Sequence, residues 1–227
     1  MLRTLVTTAS LIAAATAAHS HGDVAPQPVN TDALPDVGEE WLTENPYRDA
    51  GDEIWKAAIE IGDSGYNQNC ARCHGLGGVS GGLAPDLRYL EAEEYGDEWY
   101  AERFRDGMTQ NGITKMPAFG ELLGQKAAWA IRTYIETRPD DGALDDHNSR
   151  LKEIRDLLAE WESAAPGHGD VQAVQDELSE IATQIETGSG APVADSIALR
   201  AAEMISGEAP KFAAAAETLT IGLSAAR

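Results

Sequence analysis

Cys70-Ala71-Arg72-Cys73-His74 gathers both cysteines of the chain and one of its five histidines into five consecutive residues. Two thiols three positions apart, followed at once by an imidazole, form the C-x-x-C-H pattern of covalent haem attachment. Each thiol can add across a haem vinyl group to make a thioether, and the adjacent imidazole then reaches the iron as an axial ligand. A C-x-x-C alone also suits zinc or a redox-active dithiol. Zinc would need a second pair of ligands that the two-cysteine chain does not supply as thiols, and the next-residue histidine favours haem over a dithiol. The spacing predicts one covalently attached haem c, tethered by Cys70 and Cys73, with His74 on the iron.

The other axial position decides the chemistry. Its candidates are Met108, Met116, Met204, His147 and His168. Met116 stands out because Pro117 follows it, within Lys115-Met116-Pro117-Ala118-Phe119. The proline disfavours a helical Met116 and presents its thioether from an extended segment. Met108 fits the apolar face of a helix, and His147 and His168 sit in polar segments. His/Met ligation saturates the iron and raises its potential, which suits electron transfer.

The elements that must position these groups read as helices. From Asp52 to the motif, Ile54, Ala58, Ile61 and Gly65 recur on one face. The glycine-rich stretch 75–82 lacks the G-x-x-x-x-G-K-[ST] phosphate pattern and reads as a loop at the haem edge. Asp97 is placed as the cap of a second helix carrying Trp99, Phe104 and Met108, followed by a turn-rich stretch to Met116-Pro117. A third helix runs from Gln125 to Thr137, with Trp129, Ile131, the Arg132 stem and Tyr134 buried, and ends before Pro139. Beyond it, four amphipathic segments follow: Leu151, Ile154, Leu157, Leu158 and Trp161; Val171, Val174, Leu178, Ile181 and Ile185 after an Asp170 cap; Ile197, Ala201, Met204 and Ile205; and Phe212, Ala216, Leu219 and Leu223. Breaks fall at Pro166-Gly167, at 188–192 and at 207–210. The fold class expected is all-α: a monohaem domain followed by a small helical extension, a four-helix bundle or, alternatively, a loosely packed alanine-rich tail.

Charge and targeting set the context. The chain has 227 residues, 17 Lys and Arg against 38 Asp and Glu, and a net charge of −21. Residues from 140 onward hold 17 acids against six bases, a net −11. Such charge excludes nucleic acid as a partner and steers the protein toward basic surfaces; solubility in a saline habitat is the other use. Arg3 followed by an apolar run over 5–18 reads as a cleavable secretory signal, too short for a spanning helix. The division expected is a signal peptide at 1–18, an extended proline-rich arm at 19–49, the haem domain at 50–139 and an acidic helical extension at 140–227. Export matches thioether haem chemistry, a process of the bacterial periplasm.

C-A-R-C-H-G, A-P-D-L and K-M-P-A-F together resemble the class I cytochromes c, over residues 50–138. The resemblance implies that a proline carbonyl, here Pro85, accepts a hydrogen bond from the axial His74, and that Gly62, Tyr66 and Tyr134 form the packed crossing of first and last helices. A narrower resemblance, over residues 21–138, is to the periplasmic cytochromes c-550 of quinoprotein ethanol oxidation. It implies a non-enzymatic shuttle that takes electrons from a PQQ-dependent alcohol dehydrogenase and passes them toward a terminal oxidase or another cytochrome, with Cys70, Cys73, His74 and Met116 as the residues carried over. The extension departs from that family. Two other functions remain: a peroxidase-like haem enzyme, for which Arg103 and Arg105 are the unplaced polar groups, and a cytochrome subunit bound tightly to a dehydrogenase through the extension.

Overall fold

The computed structural model describes residues 26–163 and 169–225. The expected signal peptide, His168 and the Pro166-Gly167 break lie outside them. Helix α1 spans Asp52–Asn69, the single turn α2 Ala71–His74, α3 Glu94–Asp106 and α4 Gly120–Glu136. A hairpin of β1 (Met108–Gln110) and β2 (Ile113–Met116) separates α3 from α4. Helices α5 (Asn148–Ser163), α6 (Val171–Gln184), α7 (Ile197–Met204) and α8 (Phe212–Ala225) follow.

Two buried apolar cores result. The first is built on α1, α3 and α4, with Tyr66, Tyr100, Phe104, Trp129, Ile131 and Tyr134 inside it. Its centre is the crossing of α1 over α4. A side chain at Gly62 would overlap the Ala130 carbonyl and come 2.8 Å from the Tyr134 Cβ, so only glycine lets the two backbones meet there. Tyr66 and Tyr134 flank the contact, ring centroids 5.4 Å apart. The second core joins α5 to α8 through Leu151, Ile154, Leu158, Leu178, Ala201, Phe212 and Leu219. Trp161 meets Phe212 edge-on at 5.5 Å. Every stripe predicted for the extension is therefore a helix whose apolar face is covered, and the loosely packed alternative fails. Asp170 caps α6, accepting from the Ala173 N–H at 3.1 Å, and Ser196 caps α7.

Three local expectations change. Asp97 is not a cap: α3 starts three residues earlier, and the Asp97 carboxylate is buried between Arg48 and Arg132. Met108 does not continue α3, because Gly107 takes φ 68° and ends the helix. The turn-rich stretch is the β-hairpin, turning on Asn111 and Gly112 at φ 53° and 74°. Adjacent positive φ values at Asn-Gly are what a tight hairpin turn requires. Helix α4 begins with a turn at Gly120, but its regular part starts after Gly124 (φ 75°), at the predicted Gln125.

The arm is irregular yet docked. The Gln125 amide donates to the Gly38 and Glu40 carbonyls at 2.8 and 2.9 Å, and Leu34 and Tyr47 are buried. A second seam joins the extension to the first core. Ser189 Oγ donates to the Glu136 carbonyl at 2.5 Å, the Ala92 N–H donates to the Ser189 carbonyl at 2.9 Å, and Pro139 bridges Thr187. Among the described residues no helix is long and apolar enough to cross a membrane.

Candidate haem centre

The motif sits where α1 stops. The Cys70 N–H closes the helix onto the Tyr66 carbonyl at 2.8 Å, and the Cys70 carbonyl accepts the N–H groups of Cys73 and His74 at 3.1 and 3.0 Å. This single turn puts Cys70, half-buried, and Cys73, exposed, on one side of the chain while His74 is buried. The turn ends at Gly75, φ 83°, where a side chain would overlap the Val79 carbonyl. Tyr66 reaches forward from α1 and its hydroxyl donates to the Gly75 carbonyl at 2.8 Å.

The imidazole is oriented from the following loop. His74 Nδ1 lies 2.9 Å from the Pro85 carbonyl oxygen. A carbonyl can only accept, so Nδ1 carries the proton. Nε2 then keeps its lone pair, and the bond to Pro85 makes that lone pair more basic toward a metal. The Pro85 contact is therefore present in the form that the family resemblance implied.

Cys70 is not set up as the attacking thiol of a redox pair. Burial, with the neighbouring Cys73 adding to it, pushes the Cys70 thiol up to about 12, whereas a reactive dithiol needs a depressed value. Among the described residues no group of three or more His, Cys, Asp or Glu converges as a metal site would need. The residues fit a covalently held haem better. Leu76, Val79 and Leu83 on the loop after the motif, Ile113 on the hairpin and Leu122 on α4 are all more than half exposed. Large apolar side chains left exposed in this way are a surface that a bound macrocycle would cover.

Met116 is half-buried at the end of β2, paired in register with Met108, and packs on the core that Cys70 and Ala71 also border. Gly107 holds this end close: a side chain there would come 2.5 Å from the Met116 carbonyl and 2.7 Å from Ala118 N. Two other candidates, Met204 and His147, lie in the extension. Met204 packs on the second core and its sulfur accepts from the Thr218 hydroxyl at 3.4 Å. His147 sits beside α5 in the extension. Met108 is on the exposed hairpin.

With that geometry in place, comparison with known proteins becomes informative. Residues 57–135 match the family described as cytochrome c oxidase, cbb3-type, subunit III. Cytochrome c550 of Pseudomonas aeruginosa is 50% identical over 120 residues, covering 52% of this chain and 81% of that protein. The chain belongs to the class I c-type cytochromes and is related to cytochrome c550. It accordingly carries covalently bound haem c and is an electron carrier, not an enzyme. Two Pseudomonas putida proteins share shorter stretches. Quinohemoprotein alcohol dehydrogenase ADH IIB is 29% identical over 93 residues, 40% of this chain and 13% of that one. ADH-IIG is 33% identical over 85 residues, 37% and 11% respectively. No solved structure matches the chain.

Sequence reasoning missed the buried ion cluster behind this cytochrome site. Arg48 from the arm reaches Asp97 and Glu136, both at 2.8 Å, and Arg132 Nε reaches Asp97 at 2.8 Å. Burial raises Glu136 against the pull of Arg48 and Arg132. The clue was available: Arg132 and Glu136 stand four apart on a helix whose other residues from Ala127 to Ile135 are apolar but for Thr133, where unpaired charges would not be tolerated. Arg103 and Arg105, the unplaced polar groups of the enzyme alternative, pair with Glu102 and Asp106 at 2.9 and 2.8 Å.

Proposed function

We propose that this cytochrome is a periplasmic shuttle with one haem on Cys70 and Cys73, His74 and Met116 as axial ligands, and Pro85 as the partner of His74. The observation that carries it is the Nδ1–H bond from His74 to Pro85, which leaves Nε2 free and oriented. When bound, the haem supplies the Fe(III)/Fe(II) couple. The chain's own residues do the rest. Cys70 and Cys73 would tether the group by thioethers, His74 Nε2 and the Met116 sulfur would hold its iron, and no residue would transfer a proton. The exposed Leu76, Leu83 and Ile113 border the edge at which a partner docks, in the small, transient contacts of redox encounters. The net charge of −21 speeds encounter with a basic surface at low salt. The working division is the leader 1–18, arm 19–49, haem domain 50–139 and extension 140–227.

The electron donor in this reading is a PQQ-dependent alcohol dehydrogenase, and the acceptor a terminal oxidase or another cytochrome. Similarity to segments of two larger proteins named as quinohemoprotein alcohol dehydrogenases supports the donor. In those proteins the related segment is part of the same chain; here it would be met by diffusion. Mixing the ferric cytochrome with such a dehydrogenase and ethanol tests this by stopped-flow absorbance. Rapid reduction that slows as salt rises is expected. Reduction no faster than with a non-quinoprotein dehydrogenase would overturn the assignment.

A further inference from the structure

The carbonyl that orients His74 belongs to a loop with little packing of its own. Pro85 is exposed, as are Leu83, Gly81 and Gly82 before it. What fixes the loop is the next residue. Asp86 Oδ1 accepts from the Arg88 N–H at 3.1 Å and from Arg88 Nε at 3.0 Å. Asp86 Oδ2 accepts from Arg88 Nη2 at 2.8 Å and from the Ser80 N–H at 3.3 Å. Ser80 closes the loop by donating to the Ala84 carbonyl at 2.5 Å.

Arg88 is 3% exposed, and its remaining bonds leave the haem region. Nη1 donates to the Pro139 carbonyl at 3.1 Å and Nη2 to Asp141 at 2.8 Å. Those two residues lie in the linker that the extension holds: the Asp140 N–H donates to the Glu186 carbonyl at 3.0 Å, and Pro139 bridges Thr187. The next residue joins the same grip. A side chain at Gly188 would come 2.5 Å from the Tyr89 ring, so the extension backbone lies flat against it. An unbroken path of hydrogen bonds, charge-assisted at Arg88 and backbone-to-backbone beyond it, thus runs from the extension to the residue beside Pro85. Only a planar guanidinium serves this many acceptors in fixed directions.

We propose that Arg88 is a positioning residue through which the C-terminal extension sets the Pro85 carbonyl against His74, and so tunes the reduction potential. The inference rests on His74 being an axial ligand, as proposed above. A firm Nδ1–H bond makes the imidazole more electron-donating and favours Fe(III). Loosening Pro85 weakens that bond and shifts the couple toward Fe(II).

Two variants that keep net charge unchanged test it in the full-length holoprotein: Arg88→Lys, and Gly188→Val, which acts from the extension side alone. Arg150→Lys, at an exposed ion pair with Glu153 and Glu177 within the extension, is the control. The readouts are the reduction potential and the solvent exchange rate of the His74 Nδ1–H by NMR. Both variants should move the Fe(III)/Fe(II) equilibrium about tenfold toward Fe(II), about 59 mV upward, and speed the exchange at least tenfold; the control should move neither. Potential and exchange both within twofold of wild type in both variants would overturn the role of Arg88. Absence of any haem-shifted His74 ring resonance in the wild type would overturn the axial assignment instead, and with it this inference.

Discussion

The two cores are held together by different means. The haem-bearing core has a glycine crossing, interleaved aromatics and fully buried charges: Gly62 against Ala130, Tyr66 beside Tyr134, and Asp97, Arg132 and Glu136 with no exposed surface. The extension has aliphatic and alanine packing inside, and its ion pairs, such as Arg150 with Glu177 and Glu153, lie on the surface. Buried charge pairs are costly to desolvate, yet removing one partner is strongly destabilising because it leaves the other charge uncompensated. Aliphatic packing is more tolerant of change. The first core carries the haem motif at its edge, and the second is a separate aliphatic body joined to it through Glu136, Pro139 and Asp140.

That contrast can be broken, beginning with the largest effect. Arg132→Ala leaves Asp97 and Glu136 buried with Arg48 alone and should cost about 3–5 kcal/mol, visible in urea denaturation as early loss of the haem-region transition. A loss below about 1 kcal/mol would show that the cluster is not a structural keystone. Gly62→Ala should cost about 3 kcal/mol or more, because the obstacle is a backbone carbonyl that cannot rotate away. The matching change in the extension, Gly222→Ala, meets only the Ile197 side chain and should cost about 1–2 kcal/mol. Equal costs would erase the distinction between the two cores.

Acid sharpens it further. Burial works against Asp195, but Arg200 and Arg138 outweigh it and hold its carboxyl below the usual range; Arg88 does the same for Asp86. Depressed carboxylates give stability that is full above their ordinary pKa and is lost as pH falls through the folded one. Glu136 is raised, so its ionisation costs stability as pH climbs from the ordinary value through the raised one, and acid relieves it. Lowering pH below the ordinary carboxylate range should therefore loosen the seam between extension and haem core first. Hydrogen exchange should show residues 186–196 opening before α1 and α4; simultaneous opening would contradict the assignment. The smallest effect is Arg150→Ala, on an exposed pair, worth under about 1 kcal/mol in thermal melts and vanishing at high salt.

Much of this was legible in the residues. The C-x-x-C-H spacing specified the attachment turn on its own. All four stripes of the extension became helices, because three-and-four spacing leaves few other ways to bury Leu151 to Trp161 or Val174 to Ile185. The hairpin was hidden by local composition: Met108 continues the apolar rhythm of α3, and Asn111-Gly112 was the overlooked turn pair. Asp97 misled for a related reason, since a carboxylate near a helix start reads as a cap until Arg48 and Arg132 are seen converging on it. Such partners are 49 and 35 residues away, beyond any local pattern. The same distance hid Arg88, whose ties to Pro139 and Asp141 appear only when the chain folds back.

The central claim is that His74 and Met116 close both axial positions of a single haem. Carbon monoxide titration of the ferrous protein tests it most directly, with the wild type set against Met116→Ala. Negligible binding to the wild type and ready binding to the variant are expected, with the haem still covalently attached in both. Ready binding to the wild type, or a variant that stays low-spin and closed to carbon monoxide, would contradict it.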